Sequence, residues 1–83
     1  MTKDKIFGII KGSIIEFLPE VSADEISMEQ SLRDLGANSI DRMEIIVKSM
    51  EDLKIKIPMV QFGNLKDIQA LVDLLYEKKL ELG

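Results

Sequence analysis

The sequence contains no cysteine and no histidine. Without cysteine there are no disulfides, no thiolate nucleophile and no thiolate metal site. Without histidine the commonest general base and the commonest transition-metal ligand are missing. A Ser-His-Asp triad or a zinc site cannot be built from this chain alone. Long apolar runs are scarce too. The most apolar stretch, Ile6 to Leu18, is broken by Lys11 and Glu16 and is too short to span a bilayer. The start, Met1-Thr2-Lys3-Asp4-Lys5, leads into neither an unbroken apolar core nor a small-residue cleavage site. No membrane or targeting segment is expected, and the simplest expectation is a soluble cytoplasmic protein.

What is present suits one small domain over residues 1–83, with no room for two. Folding a chain of this length buries only roughly 60% of its unfolded surface, so a stability of about 5–10 kcal/mol is the ceiling. Little material is left for a deep catalytic cleft. Fifteen acidic against eleven basic residues give a net charge of −4, which argues against nucleic-acid phosphates and for a basic protein partner. With 46% apolar and 31% charged residues, the composition is globular. A carrier or interaction module, monomeric by default, fits these bounds better than a self-sufficient enzyme.

Apolar spacing predicts three amphipathic helices and a short fourth, an all-α bundle. Ile6, Ile10, Ile14 and Phe17 mark the first, with Phe7 and Leu18 widening the stripe, Thr2 or Asp4 as cap and Pro19 as its end. Gly8 and Gly12 lie four apart in it; they either mark a close helix–helix approach or are tolerated at about 1 kcal/mol each. From Glu20 to Asn38 the periodicity dissolves into a packed loop anchored by Val21, Ile26, Leu32 and Leu35. A capping box at Ser22 and Glu25, and another at Ser27 to Gln30, offer short helical turns there. The second helix runs from Asn38 or Ser39 to about Leu53, with Met43, Ile46, Val47, Met50 and Leu53 on its stripe and Ile40 and Ile45 off it. Pro58 breaks the chain, Met59 to Gly63 allows one helical turn, and the last helix spans about Leu65 to Leu80 with Asn64 as cap. Its inward residues are Ile68, Leu71, Val72 and Leu75.

The segment Asp34-Leu35-Gly36-Ala37-Asn38-Ser39-Ile40-Asp41-Arg42-Met43-Glu44 carries the chemistry. Gly36 permits a turn that other residues resist, and Ala37 keeps it uncrowded. Ser39 then presents a hydroxyl at a helix N-terminus, where free N–H groups and the dipole favour a phosphate ester. No His exists, and no Lys lies near in sequence, to activate Ser39 as a nucleophile. If Ser39 reacts, another protein must activate it, which would make it a substrate of modification and not a catalyst. The bland reading makes Ser39 or Asn38 a helix cap, worth about 1 kcal/mol. A cap alone leaves the Gly-Ala lead-in unexplained.

At these residues the chain resembles the acyl carrier proteins of fatty-acid and polyketide synthesis. Leu35-Gly36-Ala37-Asn38-Ser39-Ile40 is similar to their phosphopantetheine attachment motif, usually written with Asp-Ser-Leu at its centre. Length, acidity and helix order follow the family along the whole chain. The resemblance implies a four-helix carrier in which Ser39 bears a 4′-phosphopantetheine arm, installed from coenzyme A by a phosphopantetheinyl transferase. The arm's thiol holds an acyl group as a thioester, so the polypeptide needs no cysteine of its own. Asn38-Ser39-Ile40-Asp41-Arg42-Met43-Glu44-Ile45-Ile46, with Met50-Glu51-Asp52-Leu53 and Ile57-Pro58, is similar to the discrete donor carriers of polyketide β-branching. Those carriers deliver acetyl to a synthase resembling 3-hydroxy-3-methylglutaryl-CoA (HMG-CoA) synthase. Asn38 departs from the family's Asp. Helix two mixes Arg42 and Lys48 with Asp41, Glu44, Glu51 and Asp52, which makes a fatty-acid role the lesser alternative.

The residues expected to meet partner enzymes are Ile40, Asp41, Arg42, Met43, Glu44 and Val47, with Val47 mostly in the core. Arg42 sits at the wrong end of the helix dipole and so needs a compensating role. A non-covalent interaction module is the competing reading, and calcium binding at Asp24, Glu25 and Glu29 lacks the EF-hand pattern. No metal site is expected.

Overall fold

Ile6, Ile10 and Ile14 line one face of α1 (Lys3–Phe17) and are fully buried in the computed structural model, which describes residues 1–82. Thr2 is the cap: its Oγ1 accepts from Lys5 N at 3.2 Å. The helix stops just before Leu18 and Pro19, as expected. Gly8 and Gly12 lie on the exposed side, and a Cβ built on either meets nothing within 4 Å. They mark no close helix approach and are simply tolerated.

The long connection is a chain of short turns, each closed by a side chain three residues on. Glu25 Oε1 accepts from Ser22 N and Oγ around the 3-10 turn Ala23–Glu25, and Gln30 Oε1 accepts from Ser27 N at 2.8 Å. Ser31 and Asp34 exchange bonds in both directions, at 3.1 and 3.0 Å. Between these turns Val21, Ile26 and Leu32 are buried as anchors, with Leu35 packed at their edge.

The second helix, α2 (Ser39–Leu53), buries Ile45, Ile46, Ser49, Met50 and Leu53. Its inward face is therefore rotated from the stripe drawn on the sequence. Ile45 is fully buried, whereas Val47, expected mostly in the core, is 39% exposed. The cause is Ser49, a polar residue at the centre of the buried face, which masks the true repeat. Lys54, in the left-handed region at φ 58°, ends α2, and Lys79 Nζ donates to Leu53 O at 2.9 Å.

The third helix, α3 (Ile68–Glu81), starts three residues later than expected and is capped by Asp67. Asp67 Oδ1 accepts from Ala70 N at 2.9 Å, while Ile68 N and Gln69 N donate to Gln30 O and Met28 O of the connection, each at 2.9 Å. The loop supplies the acceptors that another helical turn would have supplied. The expected short fourth helix is one 3-10 turn, Met59–Phe62, confined between Pro58 and Gly63. The described residues thus hold three α-helices and no strand. Helices α2 and α3 pack chiefly on α1, leaving a groove between them at the end where α2 begins.

Candidate functional site

The residues before α2 close one turn and open the next without a spare residue. Gly36 has φ +100°, Gly36 N donates to Arg33 O at 2.9 Å and Ala37 N donates to Leu32 O at 3.1 Å. This is the paired closure of a Schellman turn, which requires a residue able to adopt positive φ. Ala37 is buried against the core, so a larger side chain there would displace its neighbours. Asn38 follows as N-cap. Its Oδ1 accepts from Asp41 N at 2.8 Å, and Asp41 Oδ2 accepts from Asn38 N at 3.3 Å. Asp41 therefore completes a reciprocal capping box. The Gly-Ala lead-in and the cap belong to one device that sets Ser39 down as the first residue of α2.

Ser39 is exposed. Arg42, one turn on, folds back over the helix start: Nη2 donates to Ser39 Oγ at 3.2 Å and Nη1 to Ala37 O at 3.0 Å. A guanidinium only donates, so the serine's own proton points away from it and is free for a base to remove. No carboxylate or amine of the described residues is hydrogen-bonded to Ser39 as an acceptor, so that base must come from elsewhere. The contacts to Ala37 and Ser39 are the compensation for a cation at the positive end of the dipole. Elsewhere on the surface, the pKa of Lys48 is raised by its hydrogen bond and ion pair with Asp52 at 2.9 Å, and that of Asp73 is lowered by the hydrogen bond it accepts from Lys3.

Beside Ser39 the groove between α2 and α3 encloses about 450 Å³. Arg42 and Ile46 line it from α2, Leu71 from α3, Phe62 and Leu65 from the segment between, and Arg33 from the loop. Ile40, Met43 and Val47 form a row along the outer face of α2, 62%, 48% and 39% exposed. Glu44 stands next to them, partly buried. Sequence periodicity missed the continuation of this row. Met59 and Val60 are exposed too, and Val47 and Met59 border a shallow apolar hollow of about 640 Å³. The left-handed turn at Lys54, closed by Ile55 N donating to Met50 O at 3.0 Å, carries the chain on toward Met59, and helical periodicity does not encode that. At the acidic loop, Glu25 is turned onto Ser22. No group of three or more His, Cys, Asp or Glu is placed to hold a metal, and no helix is long and apolar enough to cross a membrane, among the described residues.

The geometry agrees with three comparisons. The family model described as "phosphopantetheine attachment site" matches residues 9–75. The polyketide biosynthesis acyl-carrier-protein AcpK of Bacillus subtilis (strain 168) is 41% identical over 78 residues, covering 94% of this chain and 95% of that protein. A methylphloroacetophenone synthase of Cladonia uncialis is 30% identical over 92% of this chain, which spans 3% of that synthase. Among solved structures, a chain in the crystal structure of the curacin biosynthetic pathway HMG synthase in complex with acetyl donor-ACP superposes with a TM-score of 0.78. It is 34% identical, covering 92% of this chain and 96% of that one. The family carries covalently attached 4′-phosphopantetheine. By its sequence and its fold the chain belongs to the phosphopantetheine attachment family, as an acyl carrier protein and not a catalyst.

Proposed function

We propose that Ser39 is the attachment point and that the chain serves polyketide assembly in the cytoplasm, as acetyl donor to an HMG-synthase-like enzyme in β-branching. The observation that carries this reading is the exposed Ser39 hydroxyl, set at the start of α2 by Gly36, Ala37 and Asn38, with Oγ accepting from Arg42 Nη2. The site suits the group. Ser39 Oγ is accessible, a cation lies beside it, and a groove opens next to it. In the transfer, Ser39 Oγ bonds to the β-phosphorus of coenzyme A and adenosine 3′,5′-bisphosphate leaves. The serine proton passes to a base of the phosphopantetheinyl transferase. The attached arm supplies a terminal thiol that holds the acyl group as a thioester.

The role in polyketide synthesis is supported by the Bacillus relative, and the partner by the HMG synthase complex. For docking, Asp41 and Arg42 are already engaged within the first turn of α2. Ile40, Met43, Val47 and Glu44 then offer the face, extended by Met59 and Val60.

The test is intact mass after incubation with coenzyme A, magnesium and a broad-specificity phosphopantetheinyl transferase, beside Ser39→Ala. One phosphopantetheine-sized gain, absent in the variant, is expected. No gain with several transferases on a folded protein replaces the carrier reading with the unmodified interaction module. Acetyl transfer from the loaded protein to an HMG-synthase-like enzyme then tests the partner.

A further inference from the structure

Arg42 spends a guanidinium where helix physics disfavours one. It stands in the first turn of α2, at the positive end of the dipole. It has no carboxylate partner among the described residues, and its two bonds go to neutral oxygens, Ala37 O and Ser39 Oγ. A planar fork with five donors is suited to the paired oxygens of an anion. Here one arm of the fork rests on the very atom that becomes a phosphodiester oxygen when Ser39 is modified.

We propose that Arg42 is a positioning residue for the prosthetic group, holding the phosphodiester at Ser39 through a charge-assisted hydrogen bond. This rests on Ser39 being the attachment point. Esterification replaces the serine proton with phosphorus and places the two non-bridging phosphodiester oxygens, which share one negative charge, two bonds beyond Oγ and within the fork's reach. Nη1 stays on Ala37 O, so the guanidinium is anchored to the turn while Nη2 serves the phosphate. Arg42 also lines the groove. Fixing the first link of the arm there sets the direction in which the rest leaves the protein, and the groove's charged lining of Arg33, Arg42 and Lys66 against Asp67 is net positive.

A merely structural staple on Ala37 would lose the same stability before and after loading; a phosphate clamp would not. The experiment is a cycle of modification against substitution. Unloaded and loaded forms of the wild type, Arg42→Gln and Arg42→Lys are prepared, each load verified by intact mass. Thermal midpoints and the phosphodiester 31P resonance are then recorded. Arg42→Gln is expected to lower the loaded midpoint by about 4 °C more than the unloaded one, with Arg42→Lys in between. In about 1 M salt this difference should shrink. The 31P resonance of loaded Arg42→Gln should move to the position of a solvent-exposed phosphodiester, given by the loaded wild type unfolded in urea. Equal losses in both forms with an unmoved 31P resonance overturn the clamp. A wild type that gains no mass overturns the Ser39 reading itself, and this is seen before any melt. Should Arg42→Gln neither fold nor load, the wild type decides. Exchange of the Arg42 guanidinium protons slows on loading if the clamp forms, and an unchanged rate refutes it.

Discussion

The hydroxyl oxygens of Ser13 and Ser49 lie 3.2 Å apart in the otherwise apolar seam between α1 and α2. Ser13 donates its one proton to Ile9 O at 3.2 Å and accepts at Oγ, while Ser49 shares its one proton between Ser13 Oγ and Ile45 O at 2.8 Å. Two small residues let the helices approach, and their mutual contact leaves neither hydroxyl unsatisfied. Ser49→Ala orphans no partner and should cost about 1 kcal/mol, read as a midpoint lowered by about 4–8 °C. Ser49→Val puts an extra methyl into a site with no exposed surface and should cost about 1–3 kcal/mol. The reverse order in thermal melts would show that the seam has slack.

Two helix-like turns end in the left-handed region, one on Gly36 and one on Lys54. Gly36→Ala should destabilise by about 1–2 kcal/mol, and Lys54→Gly should stabilise by about 1 kcal/mol, because only the β-carbon makes that conformation unfavourable. On the open face of α1, Gly8→Ala and Gly12→Ala should each add about 0.5–1 kcal/mol. Urea midpoints at constant slope measure all four.

Asn38 holds the N–H of Asp41 and so the start of α2. Asn38→Ala should cost about 1 kcal/mol and Asn38→Gly a few tenths only. Asn38→Asp should keep the cap. Amide exchange at Arg42, whose N–H donates to Asn38 O at 2.9 Å, reports the fraying directly and should quicken in the alanine variant alone.

The exposed row on α2 predicts a separation of stability from transfer. Met43→Glu and Val47→Glu change surface positions and should leave stability within about 0.5 kcal/mol. On the proposed docking face they should slow acetyl transfer to the HMG-synthase-like enzyme by about tenfold or more. Unchanged transfer in both would place the docking face elsewhere.

Asp73 has its pKa lowered chiefly by the hydrogen bond it accepts from Lys3; burial opposes this next, and the bond from Gln69 and the Lys3 charge lower it by less. The unfolded chain therefore takes up this proton first as pH falls. The pair, 3.0 Å apart, contributes its stability above the ordinary carboxylate range and loses it as pH drops through the lower native value. Asp73→Asn should lie below the wild type in midpoint at neutral pH and meet it in acid. The offset should be small and weakened by salt, because both side chains are well exposed. Parallel curves down to acid pH would remove Asp73 from the account.

The elements legible from the chain alone are those whose signal is local. The isoleucines of α1 repeat at helical spacing strongly enough to show through the buried Ser13 among them, and Pro19 stops the helix by chemistry of its own. Gly36-Ala37-Asn38-Ser39 pointed to the head of α2 because positive φ, a small buried neighbour and a cap are each requirements on single residues. By contrast, Ser49 hid the inward face of α2. Its hydroxyl is acceptable in the core only because Ser13 arrives opposite it, and that neighbour is far away along the chain.

The same distinction separates what the sequence determined from what the tertiary structure decided. Residue chemistry determined the helical class, the turn before Ser39 and the presence of a hydroxyl at a helix head. Packing decided that α3 begins at Ile68, because its first N–H groups found Gln30 and Met28 carbonyls from the connection. Packing also decided that Met59 continues the row of Val47 and that Arg42 rests on Ser39. Periodicity reports how often a residue faces one side, whereas hydrogen-bond acceptors and exposed faces depend on which distant segments come to lie there.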